Sequence, residues 1–190
     1  MDQITAFDLV IFLALLAMFI VGYAQGLIRR LLGTAAIILS IVIAALLRPP
    51  LGDYLAQQWT TIGPAYSHMI AFGAVFLAAA VTFSLGIQIT YRPAPLLTRY
   101  PVLDEILGGI VGVIEGIIIL VAVMLTLDPY YTLPEVQDTV GRGEFELLRT
   151  LHGFLDETWT AGVLRETIIP ALLSVFGFLF PADIVETFRP

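Results

Sequence analysis

Glu115 stands alone as an acid inside a long apolar run, Ile106 to Leu127. A carboxyl at that position has two chemistries open to it. Ionisable, it can bind a proton or a cation on a path across a membrane, because acids inside spans mark functional sites by default. Protonated, it can simply hydrogen-bond a hydroxyl such as Thr82 or Ser84. At about 100° per residue it lies about 20° from the direction of Gly108 and within the arc of Gly112, so it faces whatever those glycines pack against. Asp8, at the head of an earlier apolar run, can cap the first turn of a helix and complement its dipole. Arg29 and Arg30 follow that run as a pair of topology-setting charges, and Asp104 heads the run that contains Glu115.

Patterns for covalent or cofactor chemistry do not appear in the sequence. There is no cysteine, so thiolate metal sites and thiol nucleophiles are excluded. His68 and His152 form no HExxH-like arrangement, and no G-x-S-x-G, Walker or G-x-G-x-x-G stretch occurs. Gly141-Arg142-Gly143 reads as a turn. The expectation is therefore a protein that is not an enzyme, with no cofactor and no metal.

The elements that must carry these residues are read from composition. The 190 residues are 58% hydrophobic and 13% charged, with mean hydropathy +0.93. A soluble domain of ordinary composition is about 25% charged, so this composition defines a membrane protein. The net charge of −7 and the absence of any basic patch exclude nucleic acid as a partner. Uncharged runs long enough for a hydrocarbon core of about 30 Å place four spans at about 8–28, 30–48, 69–91 and 106–127. Pro49, Pro50, Pro64, Pro93, Pro95, Pro101 and Pro129 fall between or beyond these spans. The fold expected is all-α, a four-transmembrane-helix bundle with an amphipathic, interfacial helical tail. Each span carries small residues at four-residue steps: Gly22 and Gly26; Ala36, Ser40 and Ala44; Ala74, Ala78, Thr82 and Gly86; Gly108, Gly112 and Gly116. Such stripes let helix backbones approach within a membrane, either inside one bundle or between two copies.

Arginines near span ends set the orientation. Arg29, Arg30, Arg92 and Arg99 flank one side and Arg48 the other, so the amino terminus and, after four spans, the carboxyl terminus face away from the cytoplasm. Residues 129–190 then form an acidic extracytoplasmic tail. From Asp128 onward the chain holds ten of the sixteen acids. In the tail, Phe145, Leu148, Leu151 and Leu155 recur at helical spacing, which predicts an amphipathic helix over Gly143 to Trp159. Thr167 to Phe180 is uncharged but too short to span comfortably. It is expected to lie on the outer membrane surface or to pack against the bundle, a fifth span being the alternative. Arg92 to Asp104 reads as a proline-rich interfacial piece.

The order of these features carries a resemblance. Asp8, then Gly22-Tyr-Ala-Gln-Gly26-Leu-Ile-Arg29-Arg30, then Asp104-Glu-Ile-Leu-Gly108 opening into Gly112 and Gly116, resembles the colicin V production (CvpA) family of bacterial inner-membrane proteins, over roughly Met1 to Asp128 and more weakly through the tail. The resemblance implies a multi-pass plasma-membrane protein linked to bacteriocin production or export and to envelope functions. It also implies a relation to four-helix domains that anchor extracytoplasmic serine proteases. Two positions depart from the family's pattern: those of Glu115 and Gln25 are often basic. With no catalytic pattern in the residues, the expected function is an accessory or scaffold in bacteriocin secretion or envelope maintenance. The alternative is a small transporter or channel subunit that uses Glu115. Partners expected are the lipid bilayer and a second copy or an envelope protein.

Overall fold

The computed structural model describes residues 4–59, 63–91, 100–131, 145–180 and 182–188. Four long helices carry the apolar runs: α1 (Ala6–Gln25), α2 (Leu27–Gln58), α3 (Pro64–Thr90) and α4 (Pro101–Tyr131), each long and apolar enough to cross a membrane. The tail follows as α5 (Glu146–Asp156), α6 (Trp159–Val163), a π-helical turn (Leu164–Ile168), α7 (Ile169–Phe176), a 3-10 turn (Gly177–Leu179) and α8 (Ala182–Thr187). Among the described residues there is no strand. The spans are apolar almost all round, as they must be where hydrocarbon rather than water surrounds them.

Four boundaries differ from the sequence expectation. The first span ends at Gln25, and a single residue, Gly26, links it to α2. Gly26 adopts φ 76°, the left-handed region that glycine enters without steric cost, so the chain reverses there and Arg29 and Arg30 fall inside the first turn of α2 rather than in a loop. Pro49 and Pro50 do not end a helix either, since α2 continues through both to Gln58. Both prolines are exposed near the end of the apolar run, where other groups can satisfy the carbonyls they leave unpaired. Pro129 likewise lies within α4, whereas Pro64 and Pro101 open α3 and α4, where the missing N–H costs nothing. Of the interfacial piece expected at Arg92 to Asp104, residues 92–99 lie outside the described residues, and Pro101 onward already belongs to α4. The turn at Gly141–Gly143 also lies outside them.

The helices do not pack in chain order. α1 rests on α4 and α3 on α2, with α2 against α4 joining the two pairs, while α1 and α2 touch little beyond their connection. The glycine stripes decide the first pairing. A Cβ added at Gly108 would lie 2.6 Å from the Gly22 carbonyl oxygen, and one at Gly112 would strike the Met18 carbonyl. Gly22, Gly108, Gly112 and Gly116 are all buried in this seam. The stripe of α2 serves the bundle as well: Ala36, Ser40 and Ala44 are buried. That of α3 does not, for Ala74, Ala78, Thr82 and Gly86 are all exposed on the outside of the bundle. α3 instead packs through Ala71 and the large side chains of Phe72 and Phe76, on another face.

The tail is part of the core. Ile169, Leu173 and Ile184 join Ile37, Ile41, Phe72 and Val121 in one cluster, and Leu155 joins Ile11, Tyr66 and Leu127 in a second. The amphipathic helix is shorter than the spacing predicted, Glu146–Asp156, with Leu148, Leu151 and Leu155 turned to the bundle. Beyond it, of the two placements expected for Thr167 to Phe180, packing against the bundle is the one found. α7 descends beside α4 until Phe180 reaches the level of Ile38 and Ile118, and α8 folds back so that Val185 approaches Gly177. It makes a half-depth hairpin rather than a fifth crossing.

Candidate functional site

Polar residues gather at two places in this apolar molecule. The first is at the Gly26 end. An arginine in the first turn of a helix faces the positive end of the helix dipole, so Arg30 is doubly disfavoured by position and by burial. Two acids of α4 answer it. Asp104 Oδ2 accepts a hydrogen bond from the Leu27 backbone N–H at 3.3 Å and so caps α2 from a neighbouring helix. A Cβ at Gly26 would lie only 2.6 Å from that oxygen, which gives the glycine a second reason besides its φ. Deeper in, Arg30 Nη1 donates to Glu115 Oε2 at 2.8 Å, with side chains 8% and 10% exposed. Gly33 leaves the room for this, since a Cβ there would lie 3.1 Å from Glu115 Oε2.

The partner of Glu115 is therefore Arg30 and not the hydroxyl expected from α3. Thr82 is exposed, and its hydroxyl donates to the Ala78 carbonyl of its own helix. Arg30 is correspondingly more than a topology determinant, whereas Arg29 remains half-buried in the same turn. Two buried atoms here, Arg30 Nε and Asp104 Oδ1, have no hydrogen-bond partner among the described residues.

The second place is the opposite end, where the tail docks. Asp8 helps to cap α1 as its place at the head of the apolar run suggests, but as the third residue of a capping box whose N-cap is Thr5: the Asp8 N–H donates to the Thr5 hydroxyl oxygen, and the Thr5 N–H donates to Asp8 Oδ2 at 2.9 Å. The same carboxylate also caps a second helix. The Thr160 N–H and hydroxyl donate to Oδ1 at 2.9 and 2.7 Å, and the Trp159 N–H donates to Oδ2 at 3.3 Å. Asp8 thus joins the start of α1 to the start of α6, more than 150 residues later.

Asp128, near the end of α4 and 1% exposed, makes the companion tie. Arg165 Nε and Nη2 donate to its two oxygens at 2.8 and 3.0 Å, and His152 Nε2 lies 3.3 Å from Oδ1. Arg165 Nη1 also donates to Asp156. The π-helical turn inserts an extra residue's rotation at Arg165, a device that often re-aims a side chain. The paired carboxylate of Asp128 holds the Arg165 guanidinium above its ordinary range. Asp128, Arg165, His152 and Thr160 were not singled out from the sequence. Asp128 and Arg165 carried a faint signal as an acid at a span end and a base inside an apolar run, but nothing local joins them.

Chemically, each of these four acids acts as an acceptor that fastens one element to another: Glu115 holds α2, Asp104 the start of α2, Asp8 the start of α6, and Asp128 the π-turn. Among the described residues no three His, Cys, Asp or Glu side chains converge as a bound metal would require.

An all-α bundle with four membrane-length helices, stitched by intramembrane and interfacial acids, is a polytopic membrane protein. A family model described as colicin V production protein matches residues 7–168, most of the chain, and the chain belongs to that family. The match runs past Asp128, where the resemblance read from motifs fades, and ends at the π-turn that carries Arg165. No curated protein and no solved structure matches the chain.

Proposed function

We propose that this protein is a non-catalytic scaffold of the bacterial plasma membrane, acting as an accessory in bacteriocin production or secretion or in envelope maintenance, with both termini extracytoplasmic. The observation that carries the reading is the use of the four acids. Each is engaged in holding helices or the tail in place, as in a rigid platform for a partner. The family's description supports the bacteriocin connection, and a second copy or an envelope protein is the partner such a platform would serve. The test is complementation of a deletion strain. Glu115→Gln and Asp8→Asn are expected to lose function only in proportion to lost protein. Variants that accumulate and melt like the wild type yet abolish the phenotype would count against the scaffold.

The second reading is a small transporter or channel subunit with Glu115 as its proton or cation site. What favours it is the burial of an ionisable carboxyl, that of Glu115, within a membrane-length helix. Against it, Arg30 already supplies the positive charge that a bound cation would bring. Proteoliposome flux that disappears in Glu115→Gln would favour transport over the scaffold.

A further inference from the structure

A cavity of about 100 Å³ lies between α2, α4 and the tail, walled by Ile38 and Ile41, by Ile118 and Val121, and by Leu173 and Phe180. No polar surface lines it, so a water inside would find no partner. Apolar cavities of roughly this size stay dry and take up small hydrocarbons. Its depth is also defined: Ile38 and Ile41 lie at the middle of the uncharged run of α2, and Ile118 and Val121 near the middle of that of α4. The cavity is not sealed, because Ile38 is 45% exposed and Leu172 and Phe180 are half-buried at its margin. It therefore opens sideways at a level where the surroundings are lipid chains. An empty void would leave its lining without dispersion partners on one side, and the molecules able to fill it from that direction are chains of the bilayer itself.

We infer that the cavity holds the terminal methylenes of one phospholipid acyl chain, and that the tail is the wall that retains it. The third wall belongs entirely to α7 and the residues after it. Their position is fixed by ties made outside the hydrocarbon, Asp8 to Thr160 and Asp128 to Arg165. A chain seated there touches two spans and the tail at once, which separates it from the lipid that merely surrounds a span. The inference goes beyond the scaffold reading and does not depend on it.

The test uses the full chain reconstituted in phospholipid nanodiscs. A tryptophan is placed at the cavity by Phe180→Trp, with Trp59→Phe and Trp159→Phe removing the native fluorophores. Phospholipids brominated near the chain end are expected to quench it at low mole fraction and to saturate. Lipids brominated near the carbonyl are expected to quench weakly. Filling the cavity with Val121→Phe, or with Val42→Phe at its half-buried edge should the first not fold, is expected to raise the mole fraction needed by about tenfold. Arg165→Ala, which frees the wall, is expected to do the same. Quenching that follows bulk lipid composition linearly, or is unchanged by both filling variants, would overturn the inference. So would quenching by brominated free fatty acid at a lower mole fraction than by phospholipid, since the occupant would then not be a bilayer chain.

Discussion

An ionised carboxyl at the depth of Glu115 is tolerable only with a counter-charge, and the 2.8 Å contact to Arg30 supplies it. The pair predicts an asymmetry. Arg30→Met or Glu115→Leu alone strands the other charge and should destabilise the folded protein by about 3–5 kcal/mol. The double replacement should recover most of that loss, because two apolar side chains of similar volume need no counter-charge. Thermal unfolding in detergent of the three variants checks this, and a double variant as unstable as the worse single one would contradict it. At Arg165 the sign of the pH effect is fixed by the direction of its shift. Its pKa is raised by Asp128, so the tie it makes is fully present below its ordinary value and is lost only as pH rises beyond it. Protease protection of the tail should thus be unchanged from roughly pH 7 to pH 10. Release of the tail within that window would show that Arg165 is not what holds it.

At the scale of elements, close approach and capping do what hydrophobic exclusion cannot do in lipid. The α1–α4 seam leaves no room at Gly112, where a side chain would meet the Met18 carbonyl. Gly112→Leu should therefore separate the pair and lower stability by about 3 kcal/mol or more. Gly86 faces open space, so Gly86→Ala should be neutral or stabilising by up to about 1 kcal/mol through helix propensity. Chemical denaturation of both proteins distinguishes a packing glycine from an outward one. Asp8 caps two helices with one carboxylate, and Asp8→Ala should cost about 1 kcal/mol for each cap lost. It should also speed hydrogen exchange in Trp159 to Val163, an effect that capping of α1 alone would not produce. The capping role of Asp8 at α1 was legible from an acid at the head of an apolar run, although Thr5 is the N-cap residue and Asp8 its partner three residues on. The tie to Thr160 was not, since no local pattern announces a partner more than 150 residues away.

For the whole molecule, the start of α1 and the start of α6 meet at Asp8, so the docked tail and the head of α1 share one end of the bundle. In the orientation proposed above, that end faces away from the cytoplasm. Alkaline phosphatase fused at Pro190 should be active and a fluorescent protein there dark. The reverse result would place both ends of the chain in the cytoplasm and overturn the orientation. The hairpin keeps the carboxyl end near the docked tail: α7 ends at Phe176, a 3-10 turn follows at Gly177–Leu179, and α8 comes back so that Val185 approaches Gly177.

Composition and spacing alone determined that this chain lives in a membrane, that four helices cross it, and that glycines at four-residue steps pack helix against helix. Those properties follow from hydrocarbon thickness and helical periodicity, which act on neighbouring residues. Tertiary structure alone decided which helix each stripe meets, leaving the α3 stripe outside, and it decided that Glu115 finds Arg30, that Asp104 caps α2, and that Asp8 and Asp128 hold the tail. Each of those is a contact between residues far apart in the chain, selected by the burial cost of unpaired charge once the backbones have come together.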